Sequence, residues 1–462
     1  MRCNRYAART LAVCAAVALL ASGCASTATP SGDATTTTTT AKVSTVSQVA
    51  AEDEMFTDRD RDASYDESAV AVTLKDNASA CKDKGVSVSG NVVTITKAGT
   101  YRLSGTLTNG RVVVDADKSD KIQLVLDGVT INCDTSAALY VKQADKVFVT
   151  LASGSRNTLS NKKDFVAVDD NNIDAVIFSK EDLTLNGAGA LTVQAAYGHG
   201  IVSKDDLVVT GGTIAVTAAR HALAGKDSVR IADGSLTLTA GKDGIHAENA
   251  DDTTRGFVYI AGGTVTVTCD GDGVDAGATA QIKNGILTIT AGGGSANATQ
   301  KKEEMFGPGG WNQSSSTTTD EESTSAKGIK SAGDLTISGG SITVDAADDA
   351  LHSNANATIS GGSFTLATGD DGLHADNNTA ISGGTITISQ SYEGIEGKTI
   401  AISGGNITLT ASDDGLNAAG GNDQSGFGGG MRPDTFSSGD SDCSITISGG
   451  KVGATNGLNG AG

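Results

Sequence analysis

Proline is almost missing from this chain, at 3 of 462 residues, and aromatic side chains amount to 4% with a single Trp. So little ring area excludes a compact globular core built on Phe, Tyr and Trp. Basic residues are also in deficit: 34 Lys and Arg face 54 Asp and Glu, for a formal charge of −20. A chain this acidic repels phosphate backbones, which argues against nucleic acid as a partner and for cations instead. No Cys-x-x-Cys pair occurs among the seven cysteines. Cys81, Cys133, Cys269 and Cys443 could pair in an exported protein, but at such wide spacing they read better as small buried residues. Beyond residue 23 there is no second long apolar run, so nothing downstream is expected to span a membrane as a helix.

What the chain has in abundance is glycine, 60 residues of it, with Ile, Leu, Val and Ala supplying the apolar share. Glycine weakens helices and serves tight turns, so many short strands joined by turns are expected. The first 23 residues read as a secretory signal peptide: Arg2, Arg5 and Arg9 precede the apolar run Leu11–Ala21. The run closes in Leu20-Ala21-Ser22-Gly23-Cys24, which resembles a bacterial lipobox and makes Cys24 the expected lipidation site. Ala21 stands where such boxes usually carry Leu. Residues 24–67 then read as a disordered, Ser/Thr-rich stalk that cannot bury a core, with six consecutive Thr from Thr35 to Thr40. The expected product is a lipoprotein anchored to the cell membrane and facing outward, with no membrane contact besides its lipid.

Internal repetition sets the fold expectation. Gly-Gly, or Asp-Gly or Asn-Gly in its place, recurs at 211–212, 233–234, 262–263, 284–285, 339–340, 361–362, 383–384, 404–405 and 449–450, a period of about 22 residues. Each unit carries three short strands, as in Ser341–Val344, Ala350–Ser353 and Ala357–Ser360. Alternation puts Ile342, Val344, Leu351, Ser353 and Ile359 on one face and Thr343 and His352 on the other. The period is too short for a propeller blade and lacks the helix of a leucine-rich repeat. An all-β, right-handed parallel β-helix with three strands per coil is therefore expected, a solenoid of another cross-section being the rival. Residues 68–186 read as irregular N-terminal coils and 187–462 as the regular stack, with surface inserts at 292–326 and 420–442. Nothing in the repeat calls for a partner copy, and a monomer is expected.

A second pattern rides on the first. Lys242-Asp243-Gly244-Ile245-His246 recurs as Gly271-Asp272-Gly273-Val274-Asp275, Asp348-Asp349-Ala350-Leu351-His352, Asp370-Asp371-Gly372-Leu373-His374, Tyr392-Glu393-Gly394-Ile395-Glu396 and Asp413-Asp414-Gly415-Leu416-Asn417. Stacking at about 4.8 Å would set Asp243, Asp272, Asp349, Asp371, Glu393 and Asp414 in one column, with Asp348, Asp370 and Asp413 beside it. Like charges so close repel unless a cation neutralises them, and Ca2+, which takes 6–8 oxygens, suits the ladder. The bland alternative is that Asp-Gly is good turn chemistry repeated because the coil repeats. Asp275, Asp376 and Glu396 extend the metal-ligand set. A second column, His246, Asp275, Lys330, His352, His374, Glu396 and Asn417, faces outward. Its His residues, with His221 nearby, could hold a transition metal, could hydrogen-bond sugar hydroxyls, or could form a solvated polar stripe. Trp311, in the first insert, joins His246, Lys330, His352 and His374 as a sugar-binding candidate.

These phrases, with Ile177–Thr184, Gly225-Lys226-Asp227-Ser228 and Ser325–Lys330, resemble a bacterial carbohydrate-binding β-helix family, formerly a domain of unknown function, over roughly residues 70–450. The resemblance implies a pectate-lyase-like parallel β-helix, bound calcium and affinity for acidic plant cell-wall polysaccharide such as polygalacturonate, without established catalysis. Two departures stand out. Arg220-His221 replaces the acidic phrase, so that coil is expected to lack a cation, and the chain stops short of the last coils relatives carry, so an uncapped end is expected. Three functions therefore stand at this point. One is a binding module using Ca2+ bridges. The second is a Ca2+-dependent lyase with Lys330 as base, although nearby acids raise a lysine pKa in the wrong direction for that role. The third is a non-catalytic adhesin or structural surface protein.

Overall fold

The computed structural model describes residues 55–298, 325–418 and 442–455. Period-2 alternation dominates the chain, and it yields the burial expected of strands with one face inward: Thr213–Ala218, Ser235–Ala240 and Thr264–Cys269 each alternate exposed and buried residues throughout. The described strands form two long sheets, one of 25 strands and one of 14, and neither closes into a barrel. From Ala175 to Thr410 every strand pairs in parallel with the strand three places later in the chain, as Ala175–Ser179 with His199–Ser203 and Thr213–Ala218 with Ser235–Ala240.

Register turns the repeat into a core. Ile214, Leu236, Val265, Leu287, Ile342, Phe364, Ile386 and Ile407 are consecutive partners, and all are buried. Each aliphatic side chain thus packs on its own equivalent one turn away, which is why a narrow interior needs few rings. The recurrent glycine pair is steric. Gly384 sits at φ 95, and a Cβ placed there would lie 3.1 Å from the carbonyl oxygen of Gly362 one turn below.

Both inserts leave this register intact. Val274–Ala276 pairs with Ile329–Ser331, and Asn406–Thr410 pairs with Lys451–Thr455, so the strands on either side of each insert are neighbours. The early coils are less regular: Val86–Ser89 and Val92–Ile95 form an antiparallel pair, and the register shifts between Leu103 and Gly105. The four cysteines Cys81, Cys133, Cys269 and Cys443 are free, two of them buried.

The expected stalk ends earlier than residue 67. Met55, Phe56 and Asp60 are buried, and the short helix Asp58–Arg61, closed by a capping box between Thr57 and Asp60, lies against the outer face of the larger sheet. The reason is local. Phe56 packs at a tilt against Tyr259, 5.9 Å between centroids, and the Asp60 carboxylate meets Lys146 Nζ at 2.8 Å. A mixed-charge composition read as solvated masks one aromatic and one acid that the sheet face accepts. Cys24 and the Thr run lie outside the described residues.

Candidate functional site

The smaller sheet carries the acidic phrases. Its short strands, such as Ile245–Ala247 and Leu351–Ser353, bury their first and third residues and leave the middle one half-buried. The middle residues are in register as expected: His246 pairs with Asp275, Asp275 with Lys330, Lys330 with His352, His352 with His374, and Glu396 with Asn417. Two positions before each strand's first residue runs a parallel column of His199, His221, Asp243, Asp272, Lys327, Asp349, Asp371, Glu393 and Asp414. The acids stack as the sequence implied. His199, His221 and Lys327 share the column, which counting back from Leu223 and Ile329 would have revealed.

Turn chemistry does not explain this column. Gly244, Gly273 and Gly372 have no positive φ. They are glycines because a Cβ would strike the core, 2.3 Å from Ile289 at Gly273 and 2.5 Å from Ile388 at Gly372. The side chains have a backbone role instead. Asp243 Oδ1 accepts from Asp272 N at 2.9 Å, Asp272 Oδ1 from Lys327 N at 2.7 Å, and Asp349 Oδ1 from Asp371 N at 3.0 Å. The imidazoles act likewise, His199 Nδ1 accepting from His221 N and His221 Nδ1 from Asp243 N, both at 3.2 Å. One oxygen of Asp243, Asp272 and Asp349 thus satisfies the turn above, and the other is left for chemistry.

In the later coils that second oxygen faces cationic side chains of the same stack. Asp349 Oδ2 lies 2.7 Å from Lys327 Nζ and 2.7 Å from His352 Nδ1. Burial works to raise the Asp349 carboxyl, but the His352 hydrogen bond and the Lys327 charge hold it well below the usual carboxylate range. Asp371 goes the other way, pushed up by burial against the charges of Asp349 and Asp370 despite its bond to His374. His374 Nδ1 is shared by Asp371 Oδ2 at 3.0 Å and Glu396 Oε2 at 2.8 Å. Burial opposes its charge, yet those two carboxylates raise its pKa to about 11. Glu396 Oε1 is buried without a hydrogen-bond partner among the described residues. Three groups of donor atoms converge here, each within 4.8 Å: Asp348, Asp349 and Asp370; Asp349, His352 and His374; and Asp371, His374 and Glu396. The rings of His352 and His374 stack at 4.7 Å, with Asn354 and Asp376 each 3.2 Å from an outer Nε2.

Other expected residues fall differently. Lys330 is no free base: its Nζ lies 3.2 Å from Asp272 and 3.3 Å from Asp275, whose charges raise its pKa against the opposing effect of burial. Asp272 itself is pushed up by burial, partly offset by Lys330. Glu393 is clasped by Asn417 Nδ2 at 2.8 Å to each oxygen. Asp413 is exposed, and neither it nor Asp414 belongs to a converging donor group among the described residues. In the coil of His221, where no cation is expected, the His221 ring lies within 4.8 Å of donor atoms of Asp243 and His246. Trp311 lies outside the described residues.

A family model described as carbohydrate-binding domain-containing protein matches residues 89–372, which span most of this site. The chain belongs to this family. A carbohydrate-binding domain-containing protein of Acetivibrio thermocellus is 41% identical over 230 residues, 49% of this chain and 80% of that relative. A solved structure described as the polysaccharide lyase-like protein from C. thermocellum, gadolinium derivative, shares 38% identity, with a TM-score of 0.47, over 49% of this chain and 92% of that one. The family match ends at Gly372 inside the acidic ladder, so the coils of Glu393, Glu396 and Asp414 extend beyond it.

Proposed function

We propose that this member of the carbohydrate-binding family holds an acidic polysaccharide, of the polygalacturonate kind, through Ca2+ on the flank of its coils. The observation that carries the reading is a set of buried carboxyls: Asp349, Asp371 and Glu396 are each at least nine-tenths buried, and Glu396 keeps one oxygen without a partner among the described residues. The donor set suits a hard cation. Asp348, Asp349, Asp370, Asp371 and Glu396 offer carboxylate oxygens on adjacent turns, and Ca2+ accepts such irregular oxygen sites. An ion there would supply positive charge that sugar carboxylates can share, which reconciles an acidic protein with an acidic ligand. Lys327 already neutralises part of the ladder, so a cation is needed at some rungs only.

The same reading takes the stack as a right-handed parallel β-helix with three strands to the coil, supported by pairing of each strand with the third one on. It takes Cys24 as a lipid anchor that exposes the coils outside the cell. A lyase reading finds no support in Lys330, which is held charged between two acids.

The test is Ca2+-dependent binding to a panel of neutral and acidic glycans, with unsaturated products monitored in parallel. Wild type should retain polygalacturonate in Ca2+ and release it in EDTA, without unsaturated products. Asp370→Asn with Asp371→Asn should bind at least about tenfold more weakly at unchanged fold. Equal retention in EDTA and Ca2+, or full binding by the double variant, would overturn the bridge.

A further inference from the structure

The flank that carries the acids changes sign along its length. Gly198, Arg220 and Lys242 stand one residue before His199, His221 and Asp243, just as Asp348 and Asp370 stand one residue before Asp349 and Asp371. Backbone bonds make them neighbours on successive turns: Arg220 N donates to Gly198 O at 2.9 Å, and Lys242 N to Arg220 O at 3.4 Å. Both cations are exposed, and neither side chain makes an ion pair or hydrogen bond among the described residues. Lys327 and Lys330 differ, each touching two carboxylates. Asp243, the acid next to Lys242 in sequence, turns its carboxylate to His221 and His246 instead. The local field is positive enough to be felt inside: burial, then the charges of His221, Arg220 and Lys204, bring His199 down to about 3. Tyr197, beside Gly198, is 41% exposed.

We infer that Arg220 and Lys242, with Tyr197 beside them, form a subsite that binds a uronate unit of the polysaccharide directly, without a bridging ion. The inference rests on the acidic-polysaccharide reading and deepens it by assigning residues two coils and more away from the Ca2+ ladder. The chemistry fits a sugar carboxylate. A guanidinium presents a planar fork that takes a carboxylate through two parallel N–H···O bonds, and an ammonium adds a compact charge. Successive turns rise about 4.8 Å, so one carboxylate lies within reach of both cations. The amphipathic Tyr197 ring offers a face to the apolar side of the sugar and a hydroxyl to its rim. The placement fits as well. Asp348 follows Lys242 three turns along the same edge, about 14 Å on. One extended chain laid along this flank thus meets bare cations at one end and the acids that a divalent ion would bridge at the other. Both ends act on one chain, so losing either weakens retention.

The experiment uses the whole protein with polygalacturonate, and with the same polymer after methyl esterification of its carboxyls. Retention is measured in excess Ca2+ at rising NaCl, and in EDTA. Arg220→Gln with Lys242→Gln should bind polygalacturonate at least about tenfold more weakly in Ca2+ and lose part of the salt sensitivity. Its melting temperature and the response of that temperature to Ca2+ should stay at wild-type values. Esterified polymer should not distinguish the two proteins, and Lys451→Gln, an exposed cation on the larger sheet, should bind as wild type. Unchanged affinity in the double variant, or an equal loss in Lys451→Gln or on the esterified polymer, would overturn the subsite. If the double variant melts lower, Arg220→Lys decides, because it keeps the charge and loses the fork: weaker binding supports the subsite and equal binding overturns it. The two readings fail separately. Full binding by the double variant while EDTA still releases wild type removes the subsite alone. Weak binding by the double variant while EDTA has no effect on wild type removes the calcium bridge alone. No retention of polygalacturonate by wild type in any condition removes both.

Discussion

Lys327 Nζ lies 2.7 Å from Asp349 Oδ2, one turn along the same column, and 2.8 Å from Asp348 Oδ2. A lysine therefore stands where the adjacent turns carry Asp272 and Asp349, and it supplies one charge against two carboxylates. Those carboxylates and neighbouring charge hold the Lys327 ammonium well above its ordinary pKa, although burial works the other way.

Removing that charge should expose the need for a cation. Lys327→Met leaves Oδ2 of the buried Asp349 with the His352 hydrogen bond alone, and breaking such a buried pair costs about 3 kcal/mol. In chelator the variant should melt well below wild type, and Ca2+ should restore much of the difference by binding only the folded state. Thermal melts of both proteins in EDTA and in excess Ca2+ check this. An equal deficit in both conditions would show that no cation takes the lysine's place.

Another cluster gives a pH signature. Burial, with a hydrogen bond shared with Asp227, pushes the Asp205 carboxyl up to about 7 from 3.8. A carboxyl raised in the folded state favours folding while protonated, so its contribution is full below about pH 4 and fades as pH rises through 7. Asp205→Asn keeps a donor for Asp227 and carries no charge. Its melting temperature should match wild type near pH 4 and exceed it at pH 8. Identical pH profiles would refute the shared proton.

Much of this was legible in the chain. The period of the glycine pairs predicted the stacked strands, and the phrase around His246, Asp275, Lys330, His352 and His374 predicted a column that register bears out. The column was visible because stacking converts a sequence period into proximity. What was missed lies in the exceptions to the period. Lys327 and His199 occupy acidic positions with other chemistry, so a search for carboxylates passes over them. The backbone role of the column could not be read either, because it depends on which N–H each turn leaves unpaired. The docked segment around Asp60 was hidden for a related reason: a contact with Thr184, 124 residues away, leaves no local pattern.

The leader makes a prediction that is independent of the fold. Cys24→Ser should move the protein from the membrane fraction to the soluble exported fraction if the lipobox-like Leu20–Cys24 is processed. Fractionation with mass measurement of the mature N-terminus checks it. An unmodified N-terminus in wild type, with unchanged fractionation of the variant, would remove the lipid anchor.

The docked N-terminal segment yields the last prediction. Asp60 Oδ1 meets Lys146 Nζ at 2.8 Å and accepts from Thr184 Oγ1 at 2.6 Å. Its backbone oxygen accepts from Thr210 Oγ1, and Met55 O accepts from Arg230. Burial opposes ionisation, but Lys146 and Thr184 outweigh it and bring the Asp60 carboxyl down to about 2. A depressed acid contributes stability above its unfolded value of 3.8 and loses it as pH falls through about 2. Asp60→Asn keeps the shape and removes the charge, leaving the buried Lys146 only Asp182, 3.9 Å away, at a cost of about 3 kcal/mol. At pH 7 the variant should melt lower and be cut by protease within residues 55–67, where wild type resists. The gap between them should narrow as pH approaches 2. Phe56→Ala should open the same protease sites without that pH dependence, because it removes packing against Tyr259 rather than charge. If Asp60→Asn were as stable and as resistant as wild type at pH 7, the segment would owe its place to Phe56 and the backbone bonds, and the ion pair would contribute nothing.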